Sequence, residues 1–340
     1  MEKVRFGIVG CGVIGPTHAE AIRNIDIAKL KAVCDIVPER AKAMGEKYGV
    51  PWYVDYSEML KKEDIDVVNI CVPSGLHADL GIQAAKAGKN VLVEKPIDIK
   101  LEKADELIEA CQKANVKLSV VSQHRFDPGI KELKKAIETG EIGKLIIADA
   151  YVKWWRTQGY YDSGDWRGTW ALDGGGALMN QSVHFVDMLL YLAGPVKELT
   201  AYCATLAHNI EVEDVAFAII KYVNGALGVI QGSTACYPGF RERLEFHGTK
   251  GSIIVDGPYI KEKIIMGEER KESEINVTSG GASEPTAIGI MGHTAQIRDM
   301  AEAVLYNRTP SITGEDGKRA LQFILAVYES SRTGKAMTIE

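Results

Sequence analysis

A glycine loop, Gly10-Cys11-Gly12-Val13-Ile14-Gly15, follows an apolar run at residues 4–9 and opens a helical pattern with Pro16 near its start. Asp35 ends the next apolar run, twenty positions after Gly15. No other feature restricts the fold as tightly, because each glycine has a steric task. Gly10 permits a tight turn, Gly12 lets a ligand approach the backbone, and Gly15 lets helix and strand pack closely. The helix start then offers N–H groups and positive potential, a setting for a pyrophosphate. Asp35 stands where a carboxylate can accept hydrogen bonds from ribose hydroxyls. The expected ligand is a dinucleotide held by Gly10, Gly12, Val13, Ile14, Gly15 and Asp35. A carboxylate here repels a 2′-phosphate, which favours NAD over NADP; Arg40, five residues on, is the one group nearby that can accommodate a phosphate.

The rest of the first third repeats this pattern. Apolar runs at 4–9, 30–34, 67–72, 90–93 and 117–121 alternate with helical periodicity at 17–25, 38–48, 76–87 and 101–114. Continuous apolar strands between amphipathic helices indicate a parallel sheet covered on both faces, doubly wound by right-handed crossovers. Residues 1–124 therefore read as a Rossmann domain. After Phe126 the pattern changes. A helix at 129–139 and a long strand at 144–155 lead through a polar, aromatic stretch to an apolar helix at 177–192. Strand-like runs follow at 198–206, 215–223, 226–233, 242–247 and 252–255. Asn224-Gly225 predicts a type I′ hairpin with positive φ at both residues. Residues 267–292 read as a long polar loop, and helices near 294–306 and 317–331 pack back on the body, with the first domain as one surface for them. Residues 125–340 thus read as an α+β domain with an open, largely antiparallel sheet.

Charge and composition exclude other classes. A net charge of −6 over 340 residues argues against a general nucleic-acid binder. No apolar run approaches the ~20 residues needed to span a bilayer, so no membrane partner is expected. The first residues run straight into the glycine loop and read as a strand, not a signal peptide. Cys11, Cys34, Cys71, Cys111, Cys203 and Cys236 form no CxxC pair, and several lie in apolar runs. A reduced, cytoplasmic setting follows, and no metal is expected.

Three further stretches carry a family resemblance. They are Cys71-Val72-Pro73-Ser74-Gly75-Leu76-His77, Glu94-Lys95-Pro96, and Gly174-Gly175-Gly176-Ala177-Leu178-Met179-Asn180-Gln181-Ser182-Val183-His184. With the glycine loop, they resemble the glucose–fructose oxidoreductase, inositol dehydrogenase and rhizopine-catabolism (Gfo/Idh/MocA) family over nearly the whole chain. The resemblance implies an NAD(P)-dependent oxidoreductase of sugars, polyols or their derivatives. It also implies a second domain that binds substrate and self-associates, here as a dimer or tetramer. It adds Pro73, Ser74, His77, Glu94 and Lys95 to the cofactor-binding candidates.

Residue chemistry points the same way. Lys95 follows a strand end, where open α/β folds bind ligands, and can stabilise negative charge on a reacting oxygen. His184 lies on an otherwise apolar helix whose polar exceptions include Asn180, Asp187 and Tyr191; spacings of four, three and four put them on one face. Histidine titrates near neutrality, so His184 is the candidate general base, with Lys95 and Asn180 as partners and Asp187 as a group that can orient it. In inositol-dehydrogenase-like members the position four before the histidine is commonly aspartate. Asn180 departs from this, and resembles the branch that oxidises nucleotide-linked amino-sugar uronates. Substrate contacts are expected from Lys95, Gln123, Arg125, Arg156, Trp166, Arg167, Asn180 and His184; in the stretch from Trp154 to Arg167 aromatic faces can stack on a sugar, and Arg156 or Arg167 can pair with a carboxylate or phosphate. The same aromatic loop can instead pack on a subunit neighbour. His18, His124, His208, His247 and His293 read as structural or surface residues. The main reading is a sugar or polyol dehydrogenase joining two domains at one cleft. The alternatives are a nucleotide-linked sugar-acid dehydrogenase, a redox-assisted NAD-dependent glycosidase, and a non-catalytic NAD or sugar sensor.

Overall fold

The structure, a computed structural model, describes residues 3–268, 271–272, 282 and 289–339. Its elements begin with β1 (Val4–Val9), α1 (Gly15–Arg23), β2 (Ala28–Cys34), α2 (Pro38–Tyr48), β3 (Trp52–Tyr53), α3 (Tyr56–Lys62), β4 (Val67–Ile70), α4 (His77–Lys86), β5 (Asn90–Val93), α5 (Leu101–Lys113) and β6 (Leu118–Val120). Next come α6 (Pro128–Glu138), β7 (Leu145–Lys153), α7 (Gln158–Asp162), a π-helical segment (Ala177–Ser182) that runs into α8 (Val183–Ala193), β8 (Val196–Ala204), β9 (Val215–Tyr222) and β10 (Leu227–Ser233). The chain continues with β11 (Arg243–Gly248), β12 (Gly251–Asp256), β13 (Tyr259–Ile265), β14 (Lys271–Glu272), α9 (Ile290–Leu305), α10 (Gly314–Thr333) and β15 (Met337–Thr338). Two compact units result. One comprises residues 1–123 and 288–318, the other 124–287 and 319–340.

The first unit is a doubly wound parallel sheet of order β3-β2-β1-β4-β5-β6. Its central strands are buried throughout, as their unbroken apolar runs require. Local chemistry sets the helix ends. Pro38 starts α2 and Gly49, at φ 67°, ends it. Asp55 caps α3 by accepting from the Ser57 and Glu58 N–H groups. Helix α9 returns to this unit, where Ile297, Met300 and Ala301 join Val4, Phe6, Ile8 and Ile22 in one core. Strand β3 and helix α3 were not expected, because two residues and seven residues are too short to show a period.

The second unit is a nine-stranded sheet of order β14-β13-β12-β11-β7-β10-β9-β8-β15. Among its described pairs only β7 with β10 is parallel. Strand β9 alternates strictly: Ala216, Ala218, Ile220 and Tyr222 are buried, whereas Phe217 and Ile219 are 47% and 66% exposed. One face of this sheet is covered by helical residues. The other is open and carries apolar side chains, Tyr202 and Leu227 among them. The Asn224-Gly225 hairpin forms, but not as type I′. Only Gly225 has positive φ (89°), and its N–H donates to the Tyr222 carbonyl, giving a three-residue loop with glycine in the last position. Of the polar loop expected at 267–292, Lys271–Glu272 pairs as strand β14 and Ile290 opens α9; residues 269–270, 273–281 and 283–288 lie outside the described residues. Among the described residues no helix is long and apolar enough to cross a membrane.

Candidate active site

In the first unit the glycine loop has the geometry its spacing demands. Gly10 has φ 97°, and a Cβ there would lie 2.1 Å from the Cys71 carbonyl oxygen. A Cβ on Gly15 would lie 2.3 Å from the Gly10 carbonyl oxygen. One on Gly12 would meet nothing within 4 Å, so the loop is open on the side where a ligand backbone contact is needed. Val13 is exposed beside it, Ile14 is half-buried, and no side chain caps α1. The free helix start and the open glycine fit a pyrophosphate. Asp35 is buried at the end of β2, its two oxygens accepting from the Cys11 N–H (2.7 Å) and the Val37 N–H (2.8 Å). Those bonds lock the carboxylate at the rim of the loop, and Arg40 is exposed on the first turn of α2.

Behind the end of β5 lies a buried polar cluster. Glu94 Oε1 accepts from His18 Nε2 at 2.8 Å, and His293 Nε2 stands 3.7 Å from the same oxygen. Asn69 Nδ2 donates to His18 Nδ1 at 2.9 Å, which leaves the His18 proton on Nε2, facing Glu94. Burial works against the Glu94 carboxylate, but the two imidazoles outweigh it and hold its pKa well below the usual range. The ligand atoms of His18, Glu94 and His293 lie within 4.8 Å of one another, a spacing an ion can use. The placement of the His18 proton makes this a hydrogen-bonded cluster instead. Glu94 Oε2 also accepts from the Lys95 N–H at 3.2 Å, which ties the cluster to the lysine. Lys95 itself is half-buried.

Pro73 and the buried Ser74 form the turn after β4. His77 is buried. Its Nδ1 is 2.6 Å from the Pro96 carbonyl oxygen and its Nε2 2.9 Å from that of Val72, so it braces the two chain segments that leave β4 and β5. Gln123 is buried at the end of this unit, with Oε1 lacking a hydrogen-bond partner among the described residues.

In the second unit the expected single helix begins as a π segment, a form that recurs at functional sites. Asn180 lies in it and His184 one turn later, at the start of α8. Asn180 Nδ2 donates to Asp173 Oδ1, and its Oδ1 accepts from Gln181 Nε2 at 2.9 Å. The amide is thus held by neighbours on both sides. His184 is buried, and His124 packs edge-on against it with ring centroids 5.1 Å apart. His124 Nδ1 is 2.8 Å from Asp127 Oδ2. Burial opposes a charged His124, but the hydrogen bond to Asp127 and the Asp127, Glu242 and Asp187 charges raise its pKa on balance.

Several expected contacts are occupied by the protein itself. Arg125 Nε donates to Asp187 Oδ2 at 2.7 Å, and its Nη2 reaches Oδ1 of the same carboxylate. Asp187 therefore holds Arg125, which stacks on Tyr191. Arg156 is buried and donates to the Trp155 and Ala282 carbonyl oxygens and to Gln181 Oε1. It is a strut behind Asn180, not an open anion site. Arg167 sits 4.7 Å over the rings of Tyr160 and Trp166 and donates to the Tyr160 hydroxyl, which also accepts from Gln181 Nε2. Trp166 and Arg167 are both half-buried.

Sequence reasoning gave no role to Asp173, Gln181 or Glu213, and read His18, His124 and His293 only as structural or surface residues. His124 carried a visible signal, since it sits between Gln123 and Arg125, both of which were singled out. Asp173 and Glu213 carried none; their roles come from contacts across 7 and more than 30 residues.

The parallel sheet, the open glycine loop and the fixed Asp35 define a dinucleotide-binding enzyme, and comparison with known proteins agrees. Residues 4–122 match the oxidoreductase family with an NAD-binding Rossmann fold, and residues 130–254 match the GFO/IDH/MocA C-terminal domain. The protein is an NAD-binding oxidoreductase, a dehydrogenase of CH–OH groups in sugars, polyols or their derivatives. It belongs to the Gfo/Idh/MocA family. It is similar to myo-inositol 2-dehydrogenase of Thermotoga maritima, at 30% identity over 345 residues and 99% of each chain. It is also similar to the WlbA dehydrogenase of Bordetella pertussis, solved in complex with NADH and UDP-GlcNAcA. That match has 34% identity and a TM-score of 0.89, covering 100% of this chain and 99% of that one. The WlbA dehydrogenase of Chromobacterium violaceum, solved with the same two ligands, matches at 35% identity and a TM-score of 0.88, covering 100% and 97%.

Proposed function

We propose that this protein is an NAD-dependent dehydrogenase of a nucleotide-linked amino-sugar uronate. Asn180 carries the reading. An amide four residues before His184, pinned between Asp173 and Gln181, cannot take a proton, so one base does that work. Likeness over the whole chain to two dehydrogenases solved with UDP-GlcNAcA supports the same substrate class. In the proposed mechanism His184 accepts the proton of the reacting hydroxyl. Lys95 donates a hydrogen bond to that oxygen and stabilises its growing charge, while Glu94 holds the Lys95 backbone. NAD, held at the glycine loop, would supply the acceptor for the hydride that leaves the carbon bearing this hydroxyl. Asn180 orients the substrate. Gly10, Gly12, Val13, Ile14, Gly15, Asp35, Pro73 and Ser74 are the proposed cofactor contacts, and Trp166, Arg167 and Gln123 the proposed substrate contacts. Asp35 favours NAD over NADP.

The test is turnover of UDP-GlcNAcA, UDP-GlcNAc and myo-inositol with NAD or NADP, followed at the reduced-nicotinamide absorbance. Turnover confined to the nucleotide uronate with NAD is expected. Turnover of myo-inositol alone overturns the substrate class and restores the polyol reading. Release of an aglycone without net NADH identifies a glycosidase, and neither signal identifies a sensor.

The open apolar sheet face supports self-association as a dimer or tetramer, and six free cysteines support a reducing, cytoplasmic setting. Sedimentation of the wild type and of Ile219→Glu tests the first; a wild-type monomer sinks it.

A further inference from the structure

We propose that Glu213 is a positioning residue for His184: its ionised side chain caps the helix start that carries Asn180 and His184 and holds that helix in its active placement. The inference rests on the assignment of His184 as the base. A helix start leaves four backbone N–H groups without partners. Here the Gly176 N–H donates to Glu213 Oε2 (3.0 Å), the Ala177 N–H to the Glu213 carbonyl oxygen (2.9 Å), and the Leu178 N–H to Glu213 Oε1 (2.8 Å). The Met179 backbone bonds to the Tyr328 hydroxyl, which itself donates to Glu213 Oε1 at 3.0 Å. From Asn180 onward the helix supplies its own acceptors, beginning with the Gly176 carbonyl oxygen at 3.0 Å. One residue and its tyrosine partner thus satisfy the whole helix start.

The glycine run that precedes the helix is shaped for this cap. A Cβ on Gly176 would lie 2.0 Å from the Glu213 carbonyl oxygen, and one on Gly175 would lie 2.0 Å from the Tyr328 hydroxyl. No side chain larger than hydrogen lets the backbone close so tightly around the carboxylate.

Protonation state decides whether the cap works. A carboxylate has acceptors and no donor, and it meets two N–H groups and one O–H. A carboxylic acid would turn a donor toward one of them. The titratable groups facing Glu213 are Tyr328, from α10, and Cys203, from β8; burial pushes the first well above its usual range and the second up to about 12, so both stay neutral. Asp214 is turned away, toward the Leu206, Ala207 and His208 N–H groups. Among the described residues no cation pairs with it, and burial outweighs the donors and raises the Glu213 pKa to about 7. The working cap therefore forms as pH rises through neutrality.

The experiment is the pH profile of kcat for the full chain, with wild type, Glu213→Gln and Tyr328→Phe. In wild type both His184 and Glu213 contribute to the loss of activity toward acid. Glu213→Gln should lower kcat about tenfold, leave NAD affinity unchanged, and make the acid limb shallower by one ionisation. Tyr328→Phe keeps the carboxylate but removes a donor to it, so its acid limb should move to higher pH. A variant that only loosened the fold would lower activity equally at all pH. Profiles of both variants that superimpose on wild type after scaling overturn the proposal, and if Glu213→Gln does not fold, Tyr328→Phe alone decides it. Activity retained by His184→Ala overturns the base assignment instead, whatever the Glu213 variants do.

Discussion

Glu94 and Glu213 are equally deep, 6% and 3% exposed, yet burial leaves them in opposite states. Glu94, in the first unit, is held well below the usual carboxylate range, whereas Glu213, in the second, rises to about 7. Both lose hydration and both accept hydrogen bonds. The difference is the kind of donor. Glu94 faces two imidazoles, which hold its carboxylate in the ionised form. Glu213 faces only backbone amides and a tyrosine, whose dipoles offset part of the desolvation cost but bring no charge. A buried carboxylate beside protonatable partners is a fixed anion. Glu213, beside dipoles alone, titrates near neutrality.

Four measurements would break or sharpen that contrast. The largest effect is expected from His184→Ala, which should cut turnover roughly 10²–10⁴-fold while NAD affinity, set in the first unit, stays within about twofold by the additivity of distant sites. Equal loss of both would end the division of labour between the units. Next, Glu94→Gln should cost about 3 kcal/mol of stability in a denaturant titration, because removing one partner strands the buried imidazoles; a loss below about 1 kcal/mol would mean that the cluster is not charged.

The third is the pH dependence of stability. Glu213 binds its proton more tightly folded than unfolded, so its contribution falls as pH rises from about 4.5 to about 7, by about 3 kcal/mol in all. Glu94 acts in the opposite sense: its contribution is full above its unfolded value of 4.5 and is lost as pH falls through its lowered folded pKa. Glu213→Gln should therefore remove the decline toward neutral pH and leave the acid-side loss in place. A wild-type profile with no such decline would contradict the raised pKa. The smallest effect is expected at Asp35, a third buried carboxylate, held by backbone N–H groups alone. Asp35→Ala should narrow the preference for NAD over NADP by about tenfold, the effect of about 1.4 kcal/mol, measured as a ratio of dissociation constants.

The two units also differ in how far they could be read from sequence. Unbroken apolar strands and a glycine loop are local patterns, so β1, α2 and β5 match their expected bounds. The second unit yielded β7 to β12 to their apolar runs, but neither β13 to β15 nor the state of its polar residues. Arg125 and Arg156 have the chemistry of anion binders, yet each guanidinium is engaged by the protein, one by Asp187 and the other by Gln181 and two carbonyl oxygens. A helical stripe read at 3.6 residues per turn could place Asn180 and His184 on one helix. It could not foresee that the helix opens as a π segment.

Sequence alone determined the Rossmann sheet and the dinucleotide loop. It also determined a lysine at a strand end and a histidine on an apolar helix, because each depends on residues a few positions apart. Tertiary structure alone decided which carboxylates keep their charge. Glu94 needed His18 and His293, brought from α1 and α9, and Glu213 needed Tyr328 and a helix start more than 30 residues away. Burial and partner identity set a pKa, and both exist only once distant segments have been packed together.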